Sequence, residues 1–352
     1  MDPGVRAMTF DEFGGPVTVR DLPDPAAPPG GVVVTVHASG LCLSDWHAWA
    51  GHDDDITSLP HVPGHELAGV VAAVGSGVER WQVGDRVTSP FVCGCGRCGW
   101  CRSGQSQVCP DQTQPGFSHA GSFAEQVVLH AADTNLVAIP DDVDDATAAS
   151  LGCRFATAYR AVAGRARVRA GEQVVVVGAG GVGLSAVMVA AALGAHVVAV
   201  DRYDGALEAA RRAGAEQTVL ARDGLDLPAV VHEVTGGGAH VSVDAVGSER
   251  TCADAVLSLR RRGRHVQVGL LPPVGGHPRV PMARVIGWEL DVLGSHGMAA
   301  ADYPDLLALV GAGTLRLRDL LDRVVGLAEG ARLLPGLHDT PRAGMVVVDP
   351  RR

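Results

Sequence analysis

Residues 174–201, VVVVGAGGVGLSAVMVAAALGAHVVAVD, carry an apolar pattern that changes character in order. Val174, Val175, Val176 and Val177 predict a parallel strand buried on both faces. A glycine turn, a helix and a second strand over 196–200 follow. The alternation then continues, with a helix near 205–213, a strand near 217–220, a helix near 228–234 and a strand over 240–245. A helix near 252–261 and strands over 264–269 and near 290–294 complete a doubly wound α/β sheet. Before it, short β-prone runs at 17–20 and 32–36 alternate with proline- and glycine-rich turns such as 23–31, which predicts a β-rich first domain. The tail from 295 reads as helices near 303–311 and 328–337 and a final apolar strand over 345–348.

The long uncharged run also has the length of a membrane span. Its five glycines and flanking strands argue against one. No other uncharged run approaches the ~20 residues a span needs, and MDPGVRAMTFDEFGG lacks the apolar core of a signal peptide, so a cytoplasmic chain is expected. At 352 residues and 47% hydrophobic composition the chain can build a substantial core, in about two domains with a cleft between them. The net charge is −10 and the longest basic run is 260–262, which disfavours nucleic acid and anionic membrane as partners.

Gly178, Gly180 and Gly183 stand in the spacing GxGxxG between strand and helix. Gly178 permits the tight turn, Gly180 lets a pyrophosphate approach the backbone, and Gly183 allows close packing of helix on strand. The helix N-terminus, at Gly181 and Val182, offers unpaired N–H groups to the phosphates. Asp201 ends the second strand, where an acid binds the ribose hydroxyls of NAD and repels the extra phosphate of NADP. Arg202 beside it can accommodate a phosphate, although stacking or exposure is its commoner role, so NAD is favoured over NADP. Val268, Gly269 and Leu270, like Gly247, follow strand ends where the nicotinamide half belongs.

Eight cysteines without a secretion signal read as thiols or metal ligands rather than disulfides. Cys95, Cys98, Cys101 and Cys109 follow the spacing CxxCxxCx₇C, which suits a closed tetrahedral zinc site stapling a lobe with few apolar residues. Arg97 and Arg102 are interleaved to offset its negative charge, and Cys93 is an additional thiol, a bystander in the loop or a spare ligand. A second set is more dispersed: Cys42 in GLCLSDWH, His65 in GHE and Cys153 in LGCRFAT. A Cys₂His set leaves zinc uncharged overall, with its fourth position open and its Lewis acidity available to an alcohol oxygen.

These motifs, with GSFAEQ at 121–126, resemble those of the zinc-dependent medium-chain alcohol dehydrogenases along nearly the whole chain. The resemblance implies a GroES-like catalytic domain with a structural zinc lobe over 1–154 and 295–352, and a Rossmann NAD domain over 155–294. It implies two zinc ions per chain, with Cys42, His65 and Cys153 as catalytic ligands and Asp45 and Glu66 as acidic groups behind them. Ser44 and His47 resemble the proton relay, and Thr157 the residue beside the nicotinamide. The implied reaction is reversible hydride transfer between an alcohol and NAD, the proton leaving through Ser44, the coenzyme ribose and His47. Leu43 stands where many relatives carry a basic or hydrogen-bonding residue near the phosphates. The short connection from Cys109 to Cys153 is similar to that of bacterial and yeast members, which implies a homotetramer or homodimer. Trp46, Trp49 and Phe91 could form an apolar substrate wall, and each could equally belong to the core. Two other readings remain: a zinc-free NAD(P)H carbonyl or quinone reductase of the same fold, and a non-catalytic NAD-binding protein with structural zinc only.

Overall fold

The computed structural model describes residues 4–271, 276–339 and 344–352. The strands β1 (Val5–Phe10) and β2 (Val17–Leu22) form an antiparallel ribbon. They are followed by β3 (Val32–Leu41), β4 (Glu66–Val74), β5 (Arg86–Thr88), β6 (Gln126–Leu129) and β7 (Val137–Ala138). β3 is the spine of this part, pairing antiparallel with both β4 and β6. Its alternate residues Val32, Val34 and Val36 are buried with Leu67, Val71, Val87 and Leu129 in one apolar cluster.

The second sheet contains β8 (Gln173–Val177), β9 (His196–Asp201), β10 (Gln217–Leu220), β11 (Ala239–Asp244), β12 (Leu259–Gln267) and β13 (Asp291–Gly294). All pair parallel, in the order β10-β9-β8-β11-β12-β13. Val174, Val175 and Val176 are wholly buried because β8 has neighbours on both sides and covered faces above and below. The helix Gly181–Ala192 packs on it and shares its apolar cluster, which also takes in Leu151, Phe155, Tyr303 and Leu306.

The tail supplies β14 (Leu321–Val325) and β15 (Met345–Val348). β15 pairs antiparallel with β3, Val347 lying opposite Gly40. The tail thus enters the first sheet, with β15 between β14 and β3.

One predicted helix is shifted. It spans Glu249–Leu257, and β12 begins at Leu259. Leu259 is wholly buried opposite Ala239, so the apolar residue that would extend a helix serves the sheet instead. The helix Met282–Trp288 and the strands β4 and β14 add to the elements predicted from the sequence. Among the described residues no helix is long and apolar enough to cross a membrane.

Candidate active site

The register of β3 on β4 sets Gly40 opposite Glu66. Cys42, just past β3, and His65, just before β4, are thereby brought side by side. A Cβ on Gly40 would run into the Glu66 carboxylate and the Arg154 guanidinium, so glycine there leaves the space in which those two side chains lie.

Asp45, wholly buried in the helix Leu43–Trp49, organises the cluster. Its carboxylate accepts the Cys42 N–H at 2.9 Å, the Gly64 N–H at 3.2 Å and His65 Nδ1 at 2.8 Å. With Nδ1 donating to Asp45, the His65 Nε2 lone pair points away from the carboxylate. Nε2 is buried and has no hydrogen-bond partner. Ligand atoms of Cys42, His65, Glu66 and Cys153 lie within 4.8 Å of one another, all in buried residues. Two thiols and an imidazole nitrogen lacking a partner are a donor set that fits zinc. Burial opposes a charge on His65, but Asp45 outweighs it and raises the pKa well above the ordinary value. The hydrogen bond between the thiols pulls Cys42 well down and pushes Cys153 well up.

Cys153 sits in a π-helical turn, Leu151–Phe155, a widened geometry that re-aims a side chain. The Tyr303 hydroxyl donates to the Leu151 carbonyl at 3.1 Å and ties that turn to the tail. Glu66 is paired with Arg154, a residue the sequence did not single out. Burial raises the Glu66 pKa, while Arg154 acts to lower it.

Ser44 Oγ lies 3.8 Å from Cys42 Sγ. His47 Nδ1 lies 3.1 Å from His52 Nδ1, and Trp46 stacks on His338 with ring centroids 4.5 Å apart. Of the three aromatic candidates, Phe91 meets His65 edge-on at 6.1 Å. Trp46 and Trp49 are half-buried against an apolar cluster and donate to the Pro335 and Gly15 carbonyls. Phe117, which the sequence did not single out, meets His65 at 5.4 Å.

Cys95, Cys98, Cys101 and Cys109 form a second group whose sulfurs lie within 4.8 Å of one another. Backbone N–H groups of Arg97 and Cys98 lower the Cys95 thiol to about 6. Asn135 anchors the lobe, its amide bonding both the N–H and the carbonyl of Gly94. Cys93 stands apart, donating to the Pro90 carbonyl, with burial raising its pKa to about 12.

At the end of β8, Gly178 has φ 92°, a region that favours glycine. A Cβ on Gly183 would collide with the Gly178 carbonyl oxygen, whereas one on Gly180 would meet nothing within 4 Å. Gly181 and Val182 begin the helix beside this open space. Asp201 accepts the Ala179 N–H at 2.7 Å and the Tyr203 N–H at 3.0 Å, so it also braces the glycine turn. Arg202 lies over the Tyr203 ring at 4.9 Å. Thr157 is buried with its hydroxyl lacking a partner. Val268 and Gly269 donate to the Asp244 carbonyl, and Leu270 is 72% exposed beyond them. Asp244, also absent from the sequence candidates, accepts from Val246, Gly247, Thr251 and Gln267, joining the loops after β11 and β12. Leu43 is exposed.

Known proteins share this architecture. Residues 28–141 match the alcohol dehydrogenase GroES-like domain, and residues 181–312 match the zinc-binding dehydrogenase family. An alcohol dehydrogenase of Geobacillus stearothermophilus is 37% identical over 91% of this chain and 96% of its own. A solved alcohol dehydrogenase from Thermus sp. ATN1 superposes with a TM-score of 0.88 at 30% identity, covering 98% of this chain and 99% of that one. A solved NAD-dependent alcohol dehydrogenase gives 0.87 at 32% identity, with 98% and 99% covered. With the GroES-like part and the Rossmann part both matched, the chain belongs to the zinc-type medium-chain alcohol dehydrogenase family.

Proposed function

We propose that the chain oxidises an alcohol to an aldehyde or ketone, and reverses that reaction, with NAD as the two-electron carrier. The observation that carries this reading is the buried His65, whose Nε2 lacks a partner and stands with two thiols close to the Ser44 hydroxyl. Cys42, His65 and Cys153 hold a catalytic zinc, which when bound supplies a Lewis acid for the substrate oxygen. Asp45 fixes the tautomer of His65. Ser44 takes the substrate's hydroxyl proton and His47 carries it to solvent. Phe91, which meets the His65 ring edge-on, gives the substrate side an apolar wall.

Cys95, Cys98, Cys101 and Cys109 hold a second, structural zinc. Gly178, Gly180, Gly181, Val182 and Gly183 would hold the NAD phosphates, Asp201 would bind a ribose, and Thr157, Val268, Gly269 and Leu270 would border the nicotinamide. The engagement of Arg202 with Tyr203 supports NAD over NADP, as does the name of the NAD-dependent relative. The catalytic unit comprises 1–154 and 295–352 and the coenzyme unit 155–294, a division supported by the pairing of β15 with β3. The edge strand β13 carries Val292, 43% exposed, and the helix Met282–Trp288 before it carries Ile286, 73% exposed, which supports a homodimer or homotetramer. Eight free thiols support a reducing, cytoplasmic setting.

The test is zinc per chain, measured with NADH formation across primary, secondary, benzylic and polyhydroxy alcohols. Two zinc ions with turnover are expected. A single zinc would overturn the catalytic assignment in favour of a zinc-free reductase or a non-catalytic NAD-binding protein.

A further inference from the structure

Arg154 joins the metal cluster to the coenzyme loop. It is 6% exposed, and its backbone N–H and Nε donate to Glu66 Oε1 at 2.9 and 3.0 Å. Nε also reaches Oε2 at 3.1 Å, and Nη2 donates to Oε2. Glu66 is wholly buried, and its carboxylate lies within 4.8 Å of the Cys42, His65 and Cys153 ligand atoms. On its other side the arginine stem lies where a Cβ of Gly181 would be, against the first residue of the helix Gly181–Ala192. The guanidinium is therefore confined between the two parts, with both Glu66 oxygens engaged.

A carboxylate is a good zinc ligand, and a buried carboxylate that loses its counter-ion must find another positive charge. A metal held by the neighbouring thiols and imidazole is the nearest one on offer. Coordination by Glu66 would fill the position a substrate oxygen needs. We propose that Arg154 is a positioning residue that keeps Glu66 off the metal and so holds the fourth ligand position open. This rests on the reading of Cys42, His65 and Cys153 as a metal site, and the experiment separates the two.

Cobalt(II) in place of zinc makes the site visible by absorption, and imidazole is a neutral probe of the open position. In the wild-type protein, imidazole is expected to shift the cobalt spectrum. The R154M variant is expected to bind imidazole about tenfold to a hundredfold more weakly. Adding E66Q to R154M is expected to restore the wild-type affinity, which a merely structural role for Arg154 would not produce. R154K, which keeps the charge but loses the fork, is expected to fall between. Imidazole binding by R154M equal to wild type, or no restoration by E66Q, overturns the proposal. Should R154M fail to take up cobalt, R154K decides, and an affinity equal to wild type is then the overturning result. A wild-type protein with cobalt only at the four-cysteine site would remove the metal reading itself, and this inference with it.

Discussion

His47 is half-buried, and its surroundings set the direction of its titration. Burial first, then the imidazoles of His52 and His338, lower its pKa from the ordinary 6.5, while Cys42 and Asp53 act the other way. A lowered pKa leaves the ring neutral, and able to accept a proton, throughout the neutral range. Alcohol oxidation is therefore expected to hold its kcat as pH falls to 6.5 and to decline only below it. His47→Gln should lower kcat by about a hundredfold and remove that acid-side bend. A pH profile unchanged in the variant would rule out the relay role. Residues of this kind are legible in sequence because their chemistry is carried by their own type, in a short motif. Arg154, Phe117, Asn135 and Asp244 were not, because each acts through a partner that folding supplies. Arg154 reaches Glu66 across 88 positions and Asn135 reaches Gly94 across 41, and no local pattern records either contact.

Among the elements, the strand-turn-helix from β8 into Gly181–Ala192 shows how two glycines of one motif differ. Space at Gly183 is denied by the Gly178 carbonyl, whereas Gly180 faces a gap. Gly183→Ala is expected to lower the unfolding free energy by about 1–3 kcal/mol, since the helix must back away from the strand. Gly180→Ala should leave the stability of the coenzyme-free protein unchanged and weaken only NAD binding, because its methyl fills space that a pyrophosphate needs. Urea unfolding and calorimetric NAD titration of both variants check this, and equal stability losses would contradict it. The strand β8 was legible because a run of valines has few other places to go. The end of the helix Glu249–Leu257 was misread by the sequence because an apolar residue at its margin suits helix and strand alike, and burial of Leu259 against the sheet decides.

At the scale of the molecule, the four-cysteine lobe and the Rossmann sheet draw on different sources of order. The sheet has large apolar clusters on its two faces, whereas Cys95, Cys98 and Cys101 are only partly buried and stand outside the clusters. Cys98→Ser is expected to remove one zinc, open the lobe to limited proteolysis and leave NAD affinity at the wild-type value. A variant that keeps both metals, or loses NAD binding along with the lobe, would contradict that independence.

Ligand types, the glycine turn and the alternation of strand and helix could be read from the chain because each is local. A thiolate, an imidazole or a residue without a Cβ brings its property wherever it is placed. Which carboxylate braces the imidazole and which is clamped by Arg154, which aromatic rings meet His65, and how β15 enters the first sheet belong to the tertiary structure. The register of β3 on β4 and the return of the tail set them. Those pairings are selected by burial of a shared core, an energy that belongs to contacts between distant residues and is absent from any single stretch.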